Sequence, residues 1–461
     1  MIAILILLLA AGTGCLALAA TTQLTRVRPR WAGWLVLIGA GSLIGLGGSS
    51  LLFTFICAWL GQSVWIMIGL EIAAAGAALF VIGRRTAADA EDTPFTPPLY
   101  PLILFGVLLL VLILSTTSFY SGWDNNPQGN WDAWSIWNLR AKFMAGNGDV
   151  ALRAWSPKLV ETHPEYPLLL SGLVASAWRA TGAVSAAAPI AAGYLFFLSL
   201  VSIGTGGFTL LRGRTLGLLF GIVLMACPAM LHEVAVQYAD IPLAAYFLGA
   251  ALTLLLDLPV LAGVLAALAA WTKLEGQLFV LIFLVLGLIL RRAQGLRVLA
   301  GAALPLFCVL LFQVFIAPHG AKPVLAHLWN ISLWGAIAAA FFRQFWDLGA
   351  GWLHPMLPVL VLGLVLRLDK RQNASVLSCG LLVLALLAGY FGVYLTSSND
   401  LAWYLSTSLN RLFVQLWPLM LLTAFLGLRR PEELATVEIT DPTASRAERR
   451  RSSKKRKAAP G

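Results

Sequence analysis

Apolar runs recur along this chain at lengths that a lipid bilayer selects. Thirteen of them fall at about 2–20, 32–58, 63–83, 98–119, 186–211, 215–232, 238–256, 259–272, 277–290, 297–317, 349–367, 374–396 and 411–428. A helix needs about 20 consecutive apolar residues to cross the roughly 30 Å hydrocarbon core. Backbone groups in lipid must satisfy one another, which leaves helices and closed barrels. Barrel strands alternate apolar and polar residues, whereas these runs are solid. The pattern predicts an all-α polytopic membrane protein of about 13 transmembrane helices. Charge agrees with it, since only 11% of the 461 residues are Asp, Glu, Lys or Arg, against about 25% in a soluble domain.

Lys and Arg in the short loops set the orientation. Arg26, Arg28 and Arg30 follow the first run, and Arg84 and Arg85 follow the third. Arg212 with Arg214, Arg291 with Arg292 and Arg297, Arg367 with Lys370 and Arg371, and Arg429 with Arg430 come later. Thirteen crossings with the N-terminus outside and the C-terminus cytoplasmic put every cluster in the cytoplasm, provided residues 163–182 do not cross. That segment has an apolar centre of only about ten to twelve residues, which suits an interfacial or re-entrant helix.

The remaining loops, chiefly 120–185, 233–237, 273–276, 318–348 and 397–410, then face away from the cytoplasm. They carry Asp124, Asp132, His163, Glu165, Lys273, Glu275, His319, His327, Asp347, Asp400 and, at a helix start, Arg411. Tyr238 and Asp240 stand at the mouth of their span. The cytoplasmic loops are basic, with Asp89, Glu91 and Asp92 the main exception. Nearly all residues able to do chemistry therefore share one face.

The longest polar interval runs from Gly129 to Pro167, opening on WDAWSIWNLRAKFMAGNGD and closing on HPEYP. Helical spacing over 131–144 puts Trp134, Trp137, Ala141 and Met144 on one stripe and Ser135, Asn138 and Lys142 on another. This predicts a juxtamembrane helix lying flat, with tryptophans at headgroup depth. Asp132 in its first turn is placed either to cap the helix or to act chemically, and the two roles are compatible. The prolines around Glu165 stiffen the approach to the next helix; the same rigidity would aim His163 and Glu165 back at Asp132. Lys273 at a membrane boundary has a snorkelling alternative. Asp240 near hydrocarbon needs a partner.

Other features carry less. The five cysteines all lie in apolar runs without metal spacing and read as small core residues. The apolar start lacks a basic leader region and reads as a retained first helix. Residues 429–461 hold ten Lys/Arg against five Asp/Glu, part of a formal net charge of +11. They read as a basic, disordered cytoplasmic tail near anionic lipid, with no nucleic-acid partner.

Taken in order, several stretches resemble the C-type (GT-C) membrane glycosyltransferases, particularly relatives of protein O-mannosyltransferases and lipid A aminoarabinose transferases. Asp132, Trp134, Arg140, Ala141 and Gly146 follow the family's first outer loop, and His163-Pro164 its later His-Pro element. Asp240-Ile241-Pro242 is similar to its Asp-x-Pro, Thr272-Lys273 to its Thr-Lys element, and Ser408 to Arg411 to its late Ser-Leu-x-Arg. A single Asp132-Ala133 stands where many members carry paired acids, so a divalent metal is left open and no other cofactor is implied. Three spans precede the family's usual first helix. The expected organisation is an N-terminal three-helix extension over 1–97, a catalytic membrane domain over 98–428 with its outer loop at 120–185, and the tail.

The resemblance implies an inverting sugar transfer from a polyprenyl-phosphate donor to an acceptor hydroxyl of a lipid, glycan or protein on the extracytoplasmic face of a cell membrane. Asp132 would be the general base. Arg140, His163, Glu165, Tyr238, Asp240, Lys273, Glu275 and Arg411 would contact substrates, with Lys273 and Arg411 on the phosphate. The competing classes are a multi-pass transporter, favoured by the glycines of the second run, a polymerase or ligase of lipid-linked glycans, and a non-catalytic scaffold.

Overall fold

The computed structural model describes residues 1–85, 99–159, 162–318, 324–348 and 354–433. His319, the acidic group Asp89, Glu91 and Asp92, and the tail beyond Glu433 lie outside the described residues. Every predicted run becomes helical where it is described. The N-terminal helices are α1 (Ile2–Thr21), α2 (Arg30–Leu52) and α3 (Val64–Gly83), followed by α4 (Leu99–Asn125). The polar interval contains α5 (Leu139–Ala145), α6 (Asp149–Leu152) and α7 (Leu169–Thr181). Then come α8 (Ala187–Arg212), α9 (Arg214–Met225), α10 (Pro228–Ala235), α11 (Asp240–Leu255), α12 (Pro259–Thr272), α13 (Leu274–Leu290) and α14 (Arg292–Phe315). The chain closes with α15 (Ile331–Asp347), α16 (Leu357–Leu366), α17 (Asn373–Thr396) and α18 (Leu401–Leu426). Among the described residues the only β-type pairing is an isolated bridge between Leu368 and Leu428.

Among the described residues eight helices are long and apolar enough to cross a membrane, as a polytopic membrane protein requires. The predicted run 215–232 is not one straight rod: α9 and α10 meet at 62°, where Pro228 starts a new helix because it cannot donate to the old one. Four further predicted spans, α11, α12, α13 and α16, are only 10–17 residues long. At about 1.5 Å per residue they fall short of the bilayer core. Both α11 and α12 are sheathed by protein over most of their length. The predicted outer loop 318–348 contains a 17-residue helix, α15, whose Asn330 cap accepts from the Ser332 amide. The 13-residue α7 is too short to cross, as its sequence required, and is buried over most of its length.

Small residues set the packing. A Cβ on Gly45 would lie 2.0 Å from the Ala10 carbonyl oxygen, so α1 and α2 touch backbone to backbone. Gly39 of α2 faces Ile203 of α8, and Gly47 faces Leu268 of α12. Gly39, Gly41, Gly45 and Gly47 of the second run thus serve close helix packing. Although the sequence assigns α2 to an N-terminal extension, it packs on α7, α8, α11 and α12. Its Ser50 hydroxyl donates to the Leu168 carbonyl (3.1 Å) and accepts from the Trp271 indole (3.1 Å).

Helix ends sort into two groups. Arg85 reaches the carbonyls of Ala19, Ala20 and Thr22, joining the C-terminal ends of α3 and α1. Arg212 at the end of α8 pairs with Asp369 (3.0 Å) and with the Leu428 carbonyl (2.5 Å), while Arg430 reaches Leu211. Gly207 of α8 packs on Leu252 near the end of α11, and Asp257 just beyond accepts from Gln294, beside Arg291 and Arg292. The basic clusters therefore gather at one end of the bundle. The polar interval, the start of α11 and the N-terminal half of α18 meet at the other.

Candidate functional site

At that second end, the loop after α4 folds onto the turn between α10 and α11. Gly129 (φ +72°) makes this possible, since a Cβ there would sit 2.6 Å from the Val236 carbonyl oxygen. The Asn130 amide donates to that carbonyl, and the Gln237 amide group to the Pro127 carbonyl. These contacts carry Asp132 to the mouth of α11, where Asp240 begins the helix.

Asp132 occupies the first-turn position but makes no capping hydrogen bond. Its carboxylate instead pairs with the Arg411 guanidinium at 2.6 Å. Arg411 donates through Nε to Asp240 at 2.9 Å and lies 4.4 Å above the Tyr238 ring. Asp240 is fully buried and also accepts from Lys273 (3.1 Å) and Gln415 (2.5 Å). Lys273 in turn pairs with Glu275 at 2.9 Å. A single network thus joins the loop after α4 to α11, to the α12–α13 turn and to α18.

Of the predicted stripe after Asp132, Trp137, Ala141 and Met144 are buried, whereas Trp134 is exposed. Ala133–Asn138 is a π-helical segment, and α5 continues from it. A wider turn changes which side chains share a face, so Trp137 is buried while Trp134 is exposed. It also turns Arg140 inward. Expected to bind substrate, Arg140 is buried (1% exposed) and is not a lining residue of the cavity. Its guanidinium donates to the backbone carbonyls of Thr162, His163 and Tyr166. Burial drives its pKa down to about 10, although the charge of Glu165 opposes that. Arg140 braces the HPEYP backbone.

That brace holds His163 at φ +48°, a left-handed conformation uncommon for a non-glycine residue. The His163 ring meets Glu165 at 3.0 Å and stacks on Tyr166, which stacks in turn on Trp137. Burial would raise the Glu165 carboxyl, but the His163 hydrogen bond and the Arg140 charge outweigh it and hold the group below the usual carboxylate range. Glu165 thus faces His163 and not Asp132. Tyr166 is pushed well up by burial, with the charge of Glu275 adding to it.

These groups surround a cavity of about 560 Å³. Asp132, His163, Tyr238, Lys273, Glu275 and Arg411 line it, all of them expected from the sequence. Tyr166, Trp131 and an α18 strip of Trp403, Tyr404, Thr407 and Ser408 add aromatic rings and hydroxyls. Asp240 lies beneath, and Glu165 outside the lining. Sequence reasoning passed over Gln415 and Glu233. Glu233 is buried on α10 with Oε2 unpartnered among the described residues. The one available signal for it was an acid in LHEVAVQYAD, seven residues before Asp240.

Other expected residues stand apart. Asp400 caps α18 by accepting from the Trp403 amide, and Asp347 is exposed at the end of α15. His327 lies in an exposed 3₁₀ turn. Lys142 is exposed. Among the described residues, no group of three or more His, Cys, Asp or Glu is placed to hold a metal ion.

The arrangement offers two cations that can hold an anion, a carboxylate that can take a proton, and ring faces suited to a sugar. Comparison of the chain with protein-family models, curated proteins and solved structures finds no match.

Proposed function

We propose that this chain is a membrane glycosyltransferase that moves a sugar, with inversion, from a polyprenyl-phosphate donor to an acceptor hydroxyl. The observation that carries the reading is one cavity lined by the Asp132 carboxylate together with Lys273 and Arg411. The motif order that resembles the GT-C family supports it from the sequence side.

In this reading the acceptor O–H gives its proton to Asp132 as its oxygen attacks the anomeric carbon. The bond from that carbon to the phosphate oxygen breaks, and its electron pair stays on the phosphate. The leaving group is already anionic, so it needs cations and not an acid; Lys273 and Arg411 supply them. A single displacement inverts the centre and requires one base. His163, Tyr166, Tyr238 and the α18 hydroxyls bound the space for sugar and acceptor. Asp240 orients both cations, and Arg140 and Glu165 shape the loop that carries His163. The thirteen crossings expected from the sequence would put this cavity on the extracytoplasmic face and the basic end in the cytoplasm.

The test is transfer of labelled sugar from polyprenyl-phosphate donors by the purified full chain in detergent, wild type beside Asp132→Asn. Label in an acceptor or in released sugar with wild type alone supports both the class and the base. Equal label from the two proteins keeps the class but removes Asp132 as base. No label from any donor, with a small solute bound by the same preparation, replaces the reading with a transporter.

A further inference from the structure

The proposed base and the proposed phosphate ligand are bound to each other. Asp132 and Arg411 meet at 2.6 Å, and both are mostly shielded from water (17% and 14% exposed). The carboxylate oxygen that Arg411 holds at this distance is occupied and cannot at the same time accept from an acceptor hydroxyl. The same contact occupies guanidinium hydrogens that an incoming phosphate would need. Neither residue is ready for the reaction while the pair persists.

The surrounding charges favour a change of partner over a new cation. Three carboxylates (Asp132, Asp240, Glu275) face two cations (Lys273, Arg411) in the paired network. Asp240 grips Arg411 through Nε and is buried beneath it, whereas Asp132 takes Nη1 from the loop side and lines the cavity. An anion in the cavity therefore meets the guanidinium edge that Asp132 holds, while Asp240 keeps the side chain in place from below. Resting on the transferase reading, we propose that Arg411 is a shared cation: the donor phosphate displaces Asp132 from it, so that donor binding itself releases the base. Transfer is then ordered, with the acceptor proton removed only once the phosphate is seated. Asp240 acts as the pivot, since without its grip on Nε the guanidinium would follow either anion.

The experiment is a double-mutant cycle read by binding and not by turnover. Farnesyl phosphate is titrated calorimetrically into the full chain in detergent, as wild type, Asp132→Asn, Arg411→Gln and the double variant. Competition for one guanidinium makes Asp132→Asn bind about tenfold tighter than wild type, which is about 1.4 kcal/mol. Arg411→Gln binds more weakly by a similar factor, and in its background Asp132→Asn gives no tightening, because the contested group is gone. If Asp132 only repels the anion through space, the tightening persists undiminished in the Arg411→Gln background, and the exchange is refuted. Absence of tightening in Asp132→Asn, or absence of farnesyl phosphate binding by wild type, refutes it as well. Should Arg411→Gln fail to fold, Arg411→Met replaces it, because it keeps the apolar stem and removes the contested charge. Binding with the expected cycle but no sugar transfer from any donor would leave the exchange standing and remove the transferase; transfer with an additive cycle would do the reverse.

Discussion

Replacing Asp240 with Asn tests whether the buried carboxylate organises this end of the bundle. Asp240 is fully buried and accepts from Lys273 at 3.1 Å, Arg411 at 2.9 Å and Gln415 at 2.5 Å. The amide keeps the shape and removes the charge, and it presents an NH2 group to at least one of three donors. Hydrogen bonds to a charged group contribute about 1.5–3 kcal/mol each, and breaking a buried pair costs about 3–5 kcal/mol. The cations are not stranded completely, because Lys273 keeps Glu275 and Arg411 keeps Asp132. The lower end, about 3 kcal/mol, is therefore expected. A domain of 150–250 residues loses roughly 2–4 °C per kcal/mol and a chain of this length about 1 °C, so the apparent Tm in detergent should fall by about 3 °C. Adding Lys273→Met removes one of the two under-compensated charges. The double variant should then be more stable than the sum of the singles requires, by about 1 kcal/mol or more. An Asp240→Asn protein melting within about 1 °C of wild type, or strict additivity with Lys273→Met, would refute the reasoning.

Three further outcomes follow from other parts of the fold. Arg140→Met strips the Thr162, His163 and Tyr166 carbonyls of their shared donor, at a cost of about 2 kcal/mol or more. Limited proteolysis within residues 146–167 should accelerate while the spans stay protected. The folded Glu165 carboxyl lies below its ordinary range, so its contribution is complete above that range and is lost as pH falls through the folded value. Loop protection measured from neutral pH to about pH 3 should weaken at the acid end in wild type and show a flatter profile in Glu165→Gln. Gly263→Ala puts a Cβ 1.9 Å from the Val298 carbonyl oxygen. It should push α12 from α14 and lower both yield and Tm; an unchanged melting curve would contradict the backbone-to-backbone contact.

The class of this protein was legible in its sequence because it rests on a local quantity. Solid apolar runs near the bilayer's length specify helices whatever their neighbours, and each run became helical where it is described. The collection of Arg212, Arg291, Arg367 and Arg430 at one end was legible too, since alternating helix directions fix which loops share a side. Asp132, Tyr238, Lys273, Glu275 and Arg411 were found from their shared face and meet in one cavity. Arg140 shows where that reasoning stops. From the sequence it is one more cation in the outer loop, and only the π-helical segment before it and the returning HPEYP strand of chain turn it inward. Gln415 carries no distinguishing pattern at all, and Glu233 only its place as an acid seven residues before Asp240. Gln415 matters because it stands 175 positions from Asp240 in the chain and 2.5 Å away in space; Arg411 is 171 positions away. Hydrophobic periodicity is a property of neighbours along the chain, and it determines which segments enter the bilayer. Which carboxylate meets which cation depends on how closely the small-residue faces of α1, α2, α8 and α12 let the helices approach, and only the assembled bundle decides that.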